Sequence, residues 1–175
     1  MIKRTPINSK TLKNKFPQIY SEIFSKCSIV CSSPRSITLL GEHEVRYGGI
    51  TLRQPIPIRT YVGITPNKKS KICIVWNKTF DPLLEIFRDT ETDEVHKEKI
   101  EQQLIPFLTF HDLNFTSGFD IYILSELPFE RAIGSAGAFF CPLITSFLLH
   151  TDKLTPEHIN TWKTKTVAEL IASPD

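Results

Sequence analysis

Within Pro17 to Lys26, Ile19, Tyr20, Ile23 and Phe24 recur at helical spacing, and the run opens on a proline whose missing N–H costs little in a first turn. The pattern predicts a short helix with one buried stripe. Beyond it the period falls to two. Cys27 to Ser33 and Ser36 to Leu40 are β-rich runs separated by Pro34. From Ile50 to Thr65, prolines at 55 and 57 interrupt β-branched residues. Ile58, Thr60, Val62 and Ile64 then alternate with Arg59, Tyr61 and Gly63, which predicts a strand with one more apolar face. Lys71 to Asn77 repeats the pattern after a turn at Asn67, and Phe119 to Leu124 predicts a further strand.

Helical spacing returns later. Glu91 to Leu108 is rich in helix formers, with Val95, Ile100, Leu104 and Leu108 loosely on one side and Pro106 expected to end or kink the run. Gly134 to Leu149 predicts an apolar helix that Pro142 should bend. Thr155-Pro156-Glu157 reads as a cap with proline at the first helical position, opening a last helix to Ile171. Several strands precede the main helix, so the expectation is α+β rather than a regular βαβ alternation. One domain over 1–175 is expected, with 1–26 a leading helical segment.

Composition narrows the function classes. The 41% hydrophobic and 23% charged content over 175 residues is ordinary for a globular chain. A net charge of +2 gives no reason to expect nucleic acid or an anionic membrane as partner, and the lysines between Asn67 and Lys71 read as a solvated turn. Cys27, Cys31, Cys73 and Cys141 form no C-x-x-C pair, and five histidines lack zinc spacing, so buried thiols and no structural metal are expected. Ala136 to Leu149 is the most apolar window but falls short of the ~20 residues that cross a bilayer. A reducing cytoplasm is the expected setting.

Two loops carry candidate chemistry. Ala132, Ile133, Gly134, Ser135, Ala136 and Gly137 lie where a strand gives way to a helix, with side chains small enough to let an anion approach the backbone. Ser135 adds a hydroxyl able to touch a phosphate or its magnesium. Equally, small residues here could serve only to pack the helix against a sheet. Gly41-Glu42-His43 places a carboxylate and an imidazole just past a strand, suited to vicinal hydroxyls, or simply to an exposed polar turn. Gly48-Gly49 is a turn in either case.

Taken together, S-P-R-S-I-T-L-L-G-E-H-E-V-R-Y-G-G (33–49) and G-F-D-I-Y-I-L-S-E-L-P-F-E-R-A-I-G-S-A-G-A (118–138) resemble the GHMP small-molecule kinases, the galactokinases most of all. Their motifs have the forms A-P-G-R-x-N-L-I-G-E-H-x-D-Y-x-G-G and P-x-G-A-G-L-G-S-S-A-A. The likeness runs from about Phe16 to Leu149. It implies a twisted mixed sheet backed by helices, and ATP with its phosphates over Ala132 to Gly137. Ser135 would serve the phosphates or Mg²⁺, and Glu42 and His43, with Gly48 and Gly49, would hold a sugar. A basic residue near the first motif, Arg35, would share the charge that develops during phosphoryl transfer.

Departures from those motifs are specific. The motif arginine falls on Ser36, with Arg35 one position earlier. Val45 stands at the aspartate, Glu130 and Ala132 at two glycines, and Ala136 at the second serine. Family members also continue into a third glycine-rich motif, a catalytic aspartate and a second domain. The expectation is the N-terminal part of a sugar kinase, or a non-catalytic regulator derived from one. The phenylalanines between 107 and 147 are expected either to cover a core or to expose a face for an absent domain.

Overall fold

The computed structural model describes residues 7–43, 47–68, 71–81, 84–90, 102, 104, 106, 108, 109, 118–126 and 135–157. Helix α1 (Ser9–Lys15) starts at Asn8, whose side chain accepts from the Thr11 amide at 2.9 Å, and carries Lys13 and Lys15 at its negative end. Phe16 separates it from α2 (Pro17–Lys26), the helix expected from the apolar stripe. Helix α1 lies within the expected leading helical segment, although no sequence pattern marks its own bounds: seven residues with a single buried position, Leu12, leave no periodic signal.

Five strands follow: β1 (Ile29–Leu40), β2 (Leu52–Asn67), β3 (Ile72–Asp81), β4 (Ile86–Asp89) and β5 (Gly118–Ser125). They form one sheet in the order β1-β2-β5-β3-β4. Pairing is antiparallel except between β3 and β5, so the sheet is mixed. Helix α3 (Ser135–His150) packs on one face, where Phe139, Leu143, Ile144 and Phe147 meet Val62, Ile64, Phe119, Ile121 and Ile123. On the other face α1 and α2 bring Leu12 and Ile23 against Tyr61, Phe80 and Leu124. Central β5 is covered on both sides, which explains its nearly unbroken apolar sequence. The fold is α+β.

Prolines shape the sheet without breaking it. Rather than two runs, β1 is one strand, and its register against β2 shifts after Pro34, where Pro57 and Ile58 are the extra residues on β2. Pro55 and Pro57 lie inside β2, contrary to the expected interruption. The reason is positional. Strand β5 ends with Ser125 opposite Thr60, so among the described residues no strand pairs with the earlier part of β2 on that edge. The Arg59 amide points to that edge, where it donates to Glu126 Oε1 at 2.9 Å. Residues 57 and 55 share its parity, so the N–H each proline lacks would have gone unmatched there.

Pro142 likewise lies within a continuous α3, where Thr145 and Ser146 hydroxyls donate to the carbonyls of Cys141 and Pro142, both at 2.8 Å. Gln102, Leu104, Pro106, Leu108 and Thr109 are helical, with Leu104 and Leu108 in the α3-side core; the rest of the expected Glu91–Leu108 helix, Val95 and Ile100 included, lies outside the described residues. Pro156 and Glu157 begin the expected last helix, and its remainder lies outside the described residues. Phe119, Phe139 and Phe147 belong to the core, so these phenylalanines cover it. Among the described residues, exposed large apolar side chains include Ile37, Leu39, Leu40, Tyr47, Ile50 and Leu52 at the far end of the β1–β2 hairpin, with Val75, Leu84 and Ile86 on and beside β3 and β4; Phe107, Phe110, Phe115 and Phe129 lie outside the described residues. Among the described residues, no helix is long and apolar enough to cross a membrane.

Candidate functional site

Where β5 ends, a polar cluster is sealed into the protein. Arg35 is 0% exposed and Glu126 1%, with Thr60 and Ser125 fully buried beside them. Arg35 shares β1 parity with Ile29 and Cys31, which pair with Ile64 and Val62 of the α3-side core, and its Nη2 donates to Ser125 Oγ at 3.1 Å. Thr60 Oγ1 lies 3.3 Å from the same hydroxyl. Glu126 is tied to β2 through both of its ends: its amide donates to the Arg59 carbonyl at 3.1 Å, and Oε1 accepts the Arg59 amide. Burial lowers the Arg35 pKa, and the Glu126 carboxylate works against that shift by favouring the cation. A buried arginine so placed is costly unless its charge and its N–H groups are matched.

The position matters for chemistry. Ser125 shares strand parity with Phe119, Ile121 and Ile123, the β5 side chains in the α3-side core. Arg35 therefore reaches the α3 side of the sheet, at the end where β5 hands over to the segment leading into α3. Ser135 is the first residue of that helix, and Ala136 and Gly137 continue its first turn with their surfaces exposed. A β-carbon built on Gly137 would meet nothing within 4 Å. Among the described residues, nothing lies against this turn at Gly137, which is compatible with an approaching phosphate group. Ala132, Ile133 and Gly134, together with Glu130 and Arg131, lie outside the described residues.

The first motif's polar residues sit apart from this cluster. From Arg35 the strand runs on to Leu40, a path of about 17 Å at the usual rise per residue. Gly41 then turns the chain at φ +79°, and a β-carbon there would collide with the Ile50 carbonyl oxygen. This glycine is required by geometry whatever binds nearby. Glu42 and His43 follow, both exposed, and Gly48 (φ +77°) and Gly49 are exposed on the return limb. Val45 lies outside the described residues. The described contacts bring Arg35 to Ser125 and Glu126, and they do not bring Glu42 or His43 to Arg35.

Ser125, Glu126 and Thr60 were not singled out from the sequence. A signal was present: two polar residues, one of them charged, close an apolar strand two positions before a proline. Among the described residues no group of three His, Cys, Asp or Glu side chains could hold a metal ion. The four cysteines are free and half-buried rather than fully buried. Burial pushes the Cys27 thiol up to about 12 and raises Cys31 and Cys141 as well, so these three stay protonated and unreactive near neutrality.

No family model matches the sequence, and no curated protein does. The backbone does find relatives. A galactokinase of Lactococcus lactis solved with galactose superposes with a TM-score of 0.55 at 20% identity, covering 91% of this chain and 41% of that one. A mevalonate kinase matches with a TM-score of 0.50 at 18% identity, over 82% of this chain and 45% of the other. A mevalonate diphosphate decarboxylase from Legionella pneumophila gives 0.52 at 14% identity, over 81% and 44%. The fold is GHMP-kinase-like. At these identities the likeness concerns the fold, and the chain spans less than half the length of each of these structures.

Proposed function

We propose that the chain is the nucleotide-holding part of an ATP-dependent phosphotransferase acting on a hydroxyl of a small molecule, and that the acceptor class is a sugar. The observation that carries this reading is the pairing, in a GHMP-kinase-like fold, of an open first turn on α3 with a buried arginine on the same side of the sheet. Backbone amides at the start of α3 and the helix dipole suit a polyphosphate. ATP and Mg²⁺ are the cofactors that follow. Bound magnesium would offset phosphate charge, and the residues that would hold the nucleotide are Ala132 to Gly137, with Ser135 serving a phosphate oxygen or the metal.

Within this reading Arg35 adds positive charge beside the transferring group, where stabilising the developing charge counts for more than covalent chemistry. Glu42 and His43 hold acceptor hydroxyls at the hairpin end, with Gly48 and Gly49 shaping the return. Catalytic turnover belongs to a protein of the whole relatives' length. The chain is assigned to a single domain and to a cytoplasmic setting. A second reading, a non-catalytic sugar- or nucleotide-binding regulator, is favoured by Ser36 and Val45, which stand where the resembling motif has arginine and aspartate.

Calorimetric titration with Mg-ATP tests the proposal. Saturable binding that Ser135→Asp abolishes, because the new charge opposes the phosphates, is the expected result. Absence of binding to the folded chain, or binding indifferent to Ser135→Asp, would remove the start of α3 from the site. Adding galactose and following ADP release then separates kinase from regulator.

A further inference from the structure

The buried cluster at the end of β5 contains one cation and one carboxylate, held by different devices. Glu126 is clamped to β2 through its amide and through Oε1, so its carboxylate is fixed by backbone. Ser125, one residue earlier, is held beside Thr60 and accepts from Arg35. Arg35 comes from β1, on the other side of β2, and its long side chain has rotamer freedom to lose on burial. Ser125 gives the guanidinium a fixed acceptor, and the Glu126 carboxylate adds a fixed negative charge that favours the Arg35 cation.

We propose that the Ser125–Glu126 corner is the positioning element for Arg35, fixing its guanidinium on the α3 side of the sheet. Deepened by the proposed function, on which this clause rests, the corner also sets how strongly Arg35 supports a phosphate at the start of α3. Neither Ser125 nor Glu126 needs to touch the nucleotide; each acts through Arg35. Removing a buried charge that favours another leaves the second less well compensated, so substitutions at Glu126 should be felt at Arg35.

Guanidinium NMR of nitrogen-15-labelled chain reads the positioning directly, with Arg35→Lys identifying the Arg35 signals. In the wild type, the Arg35 Nε and Nη protons should exchange slowly with water and remain distinct. Glu126→Gln, which keeps the shape and the bond to the Arg59 amide, should speed that exchange roughly tenfold or more and average the Nη signals. Ser125→Ala should do the same to a lesser degree. Unchanged Arg35 signals in both variants would overturn the proposal.

Mg-ATP affinity supplies the second arm. Glu126→Gln should weaken binding about tenfold when Arg35 is present and less than about twofold in an Arg35→Met background. Equal losses in both backgrounds would show that Glu126 acts without Arg35, against the proposal. Should Glu126→Gln fail to fold, Glu126→Asp, which keeps the charge but moves it back, should still speed Arg35 exchange and weaken Mg-ATP binding relative to wild type; wild-type values on both would overturn the corner's role. A folded wild type that binds no Mg-ATP refutes the phosphate site, and the guanidinium exchange then decides the positioning claim by itself.

Discussion

Cys27 Sγ occupies the space that a β-carbon on Gly63 would need, with Cys27 Cβ at 3.0 Å and Val30 Cγ2 at 3.4 Å closing the same spot. Gly63 is therefore a packing glycine inside β2, admitting the end of α2 close to the sheet. Gly63→Ala should lower stability by about 1–3 kcal/mol, the usual range for overfilling a packed interior. Removing the obstacle, Cys27→Ala in the same chain, should recover part of that loss. Urea unfolding of both variants checks the pair, and a purely additive result would mean that the sulfur is not what the new methyl meets.

Alkaline pH should undo the α2 side of the sheet. Burial raises Cys27 from its ordinary 9.0 to about 12 and Tyr61 from 10.0 to about 12, the latter with its hydroxyl donating to the Ile7 carbonyl at 2.9 Å. The folded state binds these protons more tightly than the unfolded chain does. Their contribution to stability is thus complete below about pH 9 and is lost as pH rises toward 12. The urea midpoint should fall progressively across that window, and Tyr61→Phe should lessen the fall above pH 10 while lowering stability at neutral pH by about 1 kcal/mol. A midpoint constant from pH 8 to 11.5 would contradict both burial effects.

Much of this architecture was legible before the structure, and the omissions have physical causes. Helix α2 and helix α3 announce themselves because periodic apolar stripes and long apolar runs survive as local sequence features. Strand alternation located β2, β3 and β5 within a few residues. What sequence could not supply was context on the strand edges. Pro55 and Pro57 read as interruptions only because the end of β5, which frees that edge of β2, is fixed by residues sixty or more positions away. Glu126 escaped notice for the same reason: its partners Arg35 and Arg59 are remote in sequence. The candidate phosphate loop was visible as a run of small residues, whereas the buried charge beside it required the fold.

Gly41 and Glu42 are adjacent yet answer to different demands, and substitution separates them. Gly41→Ala would place a methyl against the Ile50 carbonyl at a positive φ, so the hairpin end should be destabilised by about 1–3 kcal/mol. Hydrogen exchange should localise the effect to the end of β1 and the start of β2. Glu42→Ala, on an exposed turn, should leave stability within about 0.5 kcal/mol of wild type. If Glu42 holds an acceptor hydroxyl, the same change should weaken sugar binding by about 1–3 kcal/mol. An unaltered sugar titration would return Glu42 to the role of an ordinary surface residue.

Gly137 offers the sharpest separation between packing and ligand binding. Small residues at the start of α3 could exist to let the helix approach the sheet, but a β-carbon at 137 meets nothing within 4 Å and the residue is exposed. Close packing therefore does not require glycine at this position. In an exposed helical turn, Gly137→Ala should stabilise the protein by about 0.5–1 kcal/mol through the lower backbone entropy of alanine in the unfolded chain. A phosphate resting against this turn would meet the added methyl, so Mg-ATP affinity should fall while stability rises. Opposite signs in thermal unfolding and calorimetry would support an anion lying on the first turn of α3. Higher stability with unchanged affinity would leave Gly137 outside the nucleotide site, and lower stability would mean that the glycine serves the fold after all.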